Sequence, residues 1–169
     1  MGKRSDFKRV EKDFYETIDI KAVQPLSDLG GCSYYEPCVG ERSLVRLLDT
    51  IGLDCVGSSD DEIDARTITK EQVGECDYII TNPPWTRKLL HPMIENLSMI
   101  KPTWLLFDSS WVYTKQARGL SKKYLKEIRP IGRLRWIEGT KMSSKDDCSW
   151  YLFDVNKDVD YIEFVITGE

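Results

Sequence analysis

A short apolar run that ends at two prolines constrains this chain more than any other feature. The run Tyr78 to Thr81 is followed at once by Asn82, Pro83, Pro84 and Trp85. A run this short, rich in β-branched residues and stopped by proline, is typical of a buried parallel strand. Because neither proline can continue a sheet ladder, the chain must leave the strand at Asn82. Ligands of α/β proteins bind at this end of a strand, so we expect a functional site there.

The length of 169 residues and the hydrophobic content of 41% are enough for one domain with a buried core. We expect a charged lead-in over residues 1–12 and a single domain over residues 13–169. The first ten residues are charged rather than apolar, and no run approaches the roughly 20 apolar residues of a membrane span. Five cysteines form no CxxC pair and accompany one histidine, so we expect neither a metal site nor disulfides. A cytoplasmic protein without membrane contact fits these features.

A βαβ unit precedes the proline-terminated strand. A strand that ends at Glu36 leads through a turn at Gly40 into a helix with Leu44, Leu48 and Ile51 on one face. A second strand, residues 53–59, ends at Asp60. The first turn would present backbone N–H groups at the start of the helix, and Asp60 could accept hydrogen bonds from ribose hydroxyls.

The remaining chain predicts further strands and helices of the same sheet. We expect a helix that begins at Pro92, a buried strand over Thr103 to Asp108 and an amphipathic helix over Lys115 to Ile128. Three antiparallel strands should follow, at residues 134–137, 150–155 and 161–166. Residues 61–75 are too few for a strand with its own helix. The expected fold is one α/β domain with a doubly wound, mostly parallel sheet and an antiparallel end.

Positive charge is concentrated in one segment, although the net charge of the chain is -4. Ten basic residues and two acids lie between Lys115 and Lys145. We expect this 115–145 face to contact a polyanion, most readily nucleic acid. A solvated helix face followed by lysine-rich loops is the alternative interpretation.

Several motifs, in their order on successive strand ends, resemble those of class I S-adenosylmethionine-dependent amino-group methyltransferases. They are Glu36-Pro37-Cys38-Val39-Gly40, Asp60 and Asn82-Pro83-Pro84-Trp85, of which the last is the specific one. The similarity is greatest to small phage and bacterial DNA adenine-N6 methylases, and residues 102–108, 135–142 and 146–153 also resemble that group. It extends over residues 13–154. The resemblance implies a Rossmann-like methyltransferase fold, S-adenosylmethionine as cofactor, adenine N6 in DNA as acceptor and, for a phage protein, the host cytoplasm.

The resemblance also implies roles for individual residues. The Asn82 side-chain oxygen and the Pro83 carbonyl would hold the acceptor amine, beside Pro84, and Trp85 would stack on the acceptor ring. The cofactor would contact Phe14, Tyr15 and Thr17 near its methionine end, Glu36, Cys38 and Gly40 around its carboxylate and amine, Asp60 at its ribose, and Asp64 at its adenine amino group. A Pro-Cys pair also occurs in cytosine-C5 enzymes, but here it follows the first strand, which argues against a cysteine nucleophile.

The sequence departs from the family pattern at three points. Arg42 stands where many relatives carry a second glycine, so we expect a different turn or a looser cofactor contact. The short segment 61–75 puts the usual third strand and the role of Asp64 in doubt. No segment resembles a target-recognition domain. Two alternatives therefore stay open: the same fold and cofactor acting on RNA or on a protein glutamine, and a non-catalytic nucleic-acid-binding relative.

Overall fold

The computed structural model describes residues 15–139, 143–158 and 160–167. Within this part of the chain the strands are β1 (Ser33–Glu36), β2 (Asp54–Ser58), β3 (Tyr78–Thr81), β4 (Thr103–Asp108), β5 (Leu125–Arg133), β6 (Asp147–Phe153) and β7 (Glu163–Phe164). The helices are α1 (Ser43–Asp49), α2 (Lys70–Val73), α3 (Arg87–Ile100) and α4 (Ala117–Tyr124), with short 3₁₀ segments at Ile20–Ala22, Gln24–Leu29 and Trp111–Tyr113. The lead-in over residues 1–12 lies outside the described residues.

All seven strands form one sheet, in the order β2-β1-β3-β4-β6-β5-β7. Strands β1 to β4 are parallel, β6 is antiparallel to both β4 and β5, and β7 is parallel to β5. Of the strands in the described residues, six therefore point the same way and β6 alone points back. The prediction of one α/β domain with a mostly parallel sheet and an antiparallel end is confirmed.

Both faces of the sheet are covered, because successive side chains of a strand point to opposite faces. Tyr34 and Ile80 face a core formed with α1 and the first two 3₁₀ segments. Tyr35 and Ile79 face a core formed with α2, α3, α4 and the third 3₁₀ segment. The chain moves from β1 to β2 in one direction across the sheet and then to β3 in the other. This reversal puts the helices on opposite faces, as right-handed crossovers require, so the sheet is doubly wound.

The start of α3 corrects one prediction. Pro92 lies inside the helix, which begins five residues earlier at Arg87. Starting there brings Leu90 onto the buried face with Met93 and Leu97. The proline removes the hydrogen bond that the Lys88 carbonyl would otherwise accept, one turn from the exposed beginning of the helix.

The helix predicted over residues 115–128 is also too long, since α4 ends at Tyr124 and the chain enters β5 at Leu125. Leu125 and Ile128 fit a helical spacing, but their pairing with β6 overrides that local preference. Pro130 favours an extended residue before it and lies at an irregularity of the ladder, where its missing N–H does no harm. The strand predicted at residues 134–137 is wrong, because β5 already ends at Arg133.

The last strand corrects the predicted antiparallel arrangement. Strand β6 runs opposite to its neighbours and ends at the edge where β4 and β5 begin. The chain crosses over β5 from that edge and starts β7 there, so β7 must run parallel to β5. Between β2 and β3 the structure has turns and the short α2 but no strand, as the length of residues 61–75 predicted.

Candidate functional site

The carboxyl ends of β1 and β3 form the centre of the site. These strands are neighbours, and β2 lies on the far side of β1. After β1 the chain moves outward to β2 and then returns to β3 on the other side of β1, so the direction of winding reverses between β1 and β3. Open α/β sheets bind their ligands at such switch points. Glu36 ends β1 and Asn82 directly follows β3, so the fold brings these two predicted residues to the same edge.

Asn82 has a complete set of partners for its amide nitrogen. The nitrogen donates to the backbone carbonyl of Tyr15 at 3.0 Å and to the Thr17 hydroxyl at 3.1 Å. The Asn82 oxygen accepts the indole N–H of Trp85 at 3.2 Å. A carbonyl can only accept and an indole N–H can only donate, so this set allows one orientation of the amide. Predicted cofactor residues 15 and 17 are thus in direct contact with the predicted catalytic asparagine.

Trp85 is held at two places. Its N–H is bound to Asn82, and its ring packs edge to face against Trp136, with ring centroids 5.7 Å apart. Both rings are half-buried. Pro83, which is buried, and Pro84, which is half-buried, separate Trp85 from the strand. Our sequence prediction did not include Trp136 in the site, and the available signal was its place in the segment 135–142 that resembles the methyltransferase family.

Glu36 carries the most perturbed carboxylate of the site. Its side chain is 1% exposed, and one oxygen accepts the backbone N–H of Cys38 at 3.0 Å. The other oxygen, Oε2, and the buried hydroxyl of Thr81 on the neighbouring strand make no hydrogen bond of normal geometry in the described part of the chain. Burial raises the pKa of Glu36 from 4.5 to about 8. The Thr81 hydroxyl nevertheless lies close enough to the carboxylate to lower the pKa of Glu36, an effect smaller than that of burial. Two polar atoms without a regular hydrogen bond thus lie buried at the switch point.

The turn after β1 departs from expectation at Arg42. Gly40 and Arg42 both have positive φ, of 48° and 65°. Arg42 therefore adopts the left-handed conformation that glycine usually supplies, at a cost of about 1 kcal/mol. Its guanidinium donates to the Ser58 hydroxyl at 3.1 Å, across to the end of β2. In the same turn, the backbone N–H of Glu41 is bound by the Glu16 carboxylate at 2.8 Å.

Cys38 and Asp60 lie on two loops that are joined at the same edge. The backbone N–H of Val39 donates to the Ser59 carbonyl at 3.0 Å, and the N–H of Ser59 donates to the Glu36 carbonyl at 2.9 Å. Burial and then the charge of Glu36 raise the pKa of the Cys38 thiol well above its usual range. A protonated thiol is a poor nucleophile, in agreement with the prediction that Cys38 does not attack. Asp60 is exposed.

Asp64 is already bound within its own turn. Its carboxylate accepts from the Arg66 guanidinium at 2.6 to 3.1 Å and from the Arg66 backbone N–H at 2.9 Å. The Arg66 contacts lower the pKa of Asp64. Phe14, the remaining predicted cofactor residue, lies outside the described residues.

The basic segment does not form one continuous face. Arg129 is 5% exposed and its guanidinium binds Asp28 and Glu127 while stacking 4.7 Å from Trp104. Arg135 pairs with the buried Asp19 at 3.6 Å. Exposed cations remain on α4, and the exposed first residues of α3 lie beside them, since Arg87 donates to Gln116. We define the α3–α4 basic surface as Arg87, Lys88, Arg118, Lys122 and Lys123.

Among the residues that the structure describes, no group of three or more His, Cys, Asp or Glu side chains is arranged to hold a metal ion. None of the helices described has the length and apolar character needed to cross a membrane.

Comparisons with known proteins identify the fold. A scan of protein-family models and a search of curated proteins gave no match. Among solved structures, a candidate RNA methyltransferase from Pyrococcus horikoshii is similar with a TM-score of 0.54, 12% identity and 80% of each chain covered. The methyltransferase subunit of a type I restriction-modification system from Streptococcus thermophilus is similar with a TM-score of 0.55 and 10% identity, over 95% of this chain and 47% of that one.

The chain has a methyltransferase fold. It spans about half the length of the Streptococcus thermophilus subunit and most of the Pyrococcus horikoshii protein. The reversal point between β1 and β3, with Glu36 and Asn82 at its edge, lies within this sheet.

Proposed function

We propose that this protein transfers a methyl group from S-adenosylmethionine to an exocyclic amino group, with N6 of adenine in DNA as its acceptor. The observation that carries the proposal is the oriented amide of Asn82. Its oxygen has a second lone pair that the Trp85 indole does not use, and no other described residue bonds to it. An acceptor amine could therefore donate an N–H to that oxygen.

The unpaired buried atoms support the cofactor. A ligand ammonium would satisfy Glu36 Oε2, and the methionine end of S-adenosylmethionine carries an ammonium group. In our proposal Phe14, Tyr15, Thr17, Cys38 and Gly40 would surround that end, and Asp60 would bind the ribose. Asp64 would have to share its carboxylate between Arg66 and the adenine amino group of the cofactor.

The chemistry requires little more than positioning and two hydrogen-bond acceptors. When bound, the cofactor would supply an electrophilic methyl group. The lone pair of an adenine amine is delocalised into the ring, which makes the nitrogen a poor nucleophile. Asn82 Oδ1 and the Pro83 carbonyl would accept its two N–H bonds, favour a tetrahedral nitrogen and stabilise the positive charge that develops there. Alignment of the two reactants would supply much of the remaining rate enhancement.

Trp85 would give the acceptor ring a flat surface. Base stacking on an aromatic side chain contributes about 1–3 kcal/mol and does not depend on sequence. The hydrogen bond from Trp85 to Asn82 and the contact of Trp85 with Trp136 restrict the ring beside the amide. An acceptor base in a duplex would have to leave the stack to reach this position.

The α3–α4 basic surface supports a nucleic-acid acceptor. Helix α3 begins just after Trp85, so Arg87 and Lys88 lie next to the proposed acceptor position. Such a surface would bind phosphates without reading sequence. The likeness to a restriction-modification methyltransferase subunit supports DNA, and the likeness to a candidate RNA methyltransferase makes RNA the second candidate.

Transfer of labelled methyl from S-adenosylmethionine to double-stranded DNA, single-stranded DNA and RNA tests the proposal, with nucleoside digestion to locate the label. We expect label in N6-methyladenine of DNA from the wild type and none from Asn82→Ala. Label in RNA alone would mean that RNA, and not DNA, is the acceptor. No label on nucleic acid, with calorimetry showing cofactor binding, would favour a protein glutamine. No cofactor binding at all would leave the non-catalytic nucleic-acid-binding alternative.

A further inference from the structure

The segment that precedes the first 3₁₀ turn is bound to the asparagine of the site. Tyr15 and Thr17 lie 65 or more positions before Asn82, yet they accept both hydrogens of its amide nitrogen. Thr17 is 2% exposed and Asn82 is half-buried, so one partner of this contact is shielded from water. The bond is therefore a tertiary contact in the interior of the site.

Asn82 needs several partners to hold a single orientation, because the last torsion of an asparagine side chain has broad minima. The Tyr15 carbonyl and the Trp85 indole allow only one of the two flipped arrangements. The planar amide turns as a unit about that torsion, and these two contacts leave its second N–H without a partner. The Thr17 hydroxyl accepts that hydrogen at 3.1 Å and removes the remaining freedom.

We propose that Thr17 is a positioning residue, which holds the Asn82 amide so that its oxygen faces the acceptor amine. This inference rests on the proposed methyl transfer and adds to it a residue that acts through Asn82. A misplacement of about 1 Å in a reacting group can cost 10²-fold in rate. Loss of the hydroxyl should therefore slow transfer even when the cofactor site is full.

The kinetic test compares Thr17→Val, which keeps the volume and removes the acceptor, with Thr17→Ser, which keeps the hydroxyl. At saturating cofactor we expect Thr17→Val to transfer about 10- to 100-fold more slowly and Thr17→Ser to stay close to the wild-type rate. Thr103→Val is the matched control, because Thr103 is also buried and its hydroxyl donates to the Lys101 carbonyl at the opposite edge of the sheet. A wild-type rate for Thr17→Val, or an equally slow Thr17→Ser, would overturn the proposal.

A second measurement needs neither cofactor nor acceptor. The side-chain amide of Asn82 gives two ¹⁵N–¹H signals, which are assigned by their loss in Asn82→Asp. We expect slow hydrogen exchange for both signals in the wild type and in Thr17→Ser, and faster exchange with a shift for one of them in Thr17→Val. Two unchanged signals in Thr17→Val would refute the positioning role. If these signals behave as expected while the wild type methylates nothing, the proposed function fails and the contact between Thr17 and Asn82 stands.

Discussion

Replacement of Glu36 by glutamine should stabilise the cofactor-free protein as the pH rises. The ordinary pKa of this carboxyl is 4.5, and burial raises it to about 8 in the folded protein. Between these two values the folded protein keeps a proton that the unfolded chain has lost. The free energy of unfolding therefore falls as pH rises from 4.5 to 8, and the stabilisation present below pH 4.5 is lost.

The size of the effect follows from the difference in pKa. Each pH unit between the two values costs the folded protein about 1.4 kcal/mol. At pH 7 the accumulated cost is about 3 kcal/mol, and above pH 8 it reaches about 5 kcal/mol. A glutamine resembles the protonated acid in shape and stays neutral at every pH. The stability difference between Glu36→Gln and the wild type should therefore grow by about 3 kcal/mol from pH 4 to pH 7.

Urea unfolding at several pH values from 4 to 8 measures this difference. Glu62→Gln is the matched control, because it changes an exposed carboxylate just beyond β2. We expect its difference from the wild type to stay nearly constant over the same range. If the Glu36→Gln difference were also constant, the raised pKa and the burial argument behind it would be refuted.

The affinity for the cofactor should change with pH in the direction opposite to the stability of the cofactor-free protein. A ligand ammonium is bound best by the ionised carboxylate, so the affinity of the wild type for S-adenosylmethionine should rise with pH up to about 8. Glu36→Gln should bind more weakly and lose this dependence. Calorimetry at pH 6, 7 and 8 checks both; an equally pH-dependent variant would mean that Glu36 does not bind the ammonium group.

Three further substitutions separate the proposed roles. Asn82→Ala should lower the transfer rate by about 10²-fold or more while calorimetry shows nearly unchanged cofactor affinity, and wild-type turnover would contradict the mechanism. Asp60→Ala should weaken cofactor binding, whereas a slower transfer with unchanged cofactor affinity would mean that Asp60 does not bind the ribose. Lys122→Glu with Lys123→Glu should lower DNA affinity and flatten its salt dependence. Arg129→Met should instead reduce the free energy of unfolding by about 3–5 kcal/mol, and a changed salt slope would show that Arg129 does reach DNA.

The sequence by itself predicted the sheet and the side chains at its edge. Buried strands are short and apolar, so β1, β3 and β4 could be located from local patterns, and the prolines marked where β3 ends. Once the strands are parallel, the residues after them must meet at one edge. The sequence alone therefore predicts that Glu36 and Asn82 both belong to a site at the carboxyl ends of successive strands.

The tertiary structure decided which contacts those residues make. The end of α4, the direction of β7 and the burial of Arg129 depend on pairing with β6 and on Asp28, about a hundred residues away. The orientation of Asn82 depends on Tyr15 and Thr17 in the same way. Local patterns report the propensity of a segment and which of its faces is apolar. They do not report which distant donor meets which acceptor, because that pairing exists only once the chain has folded.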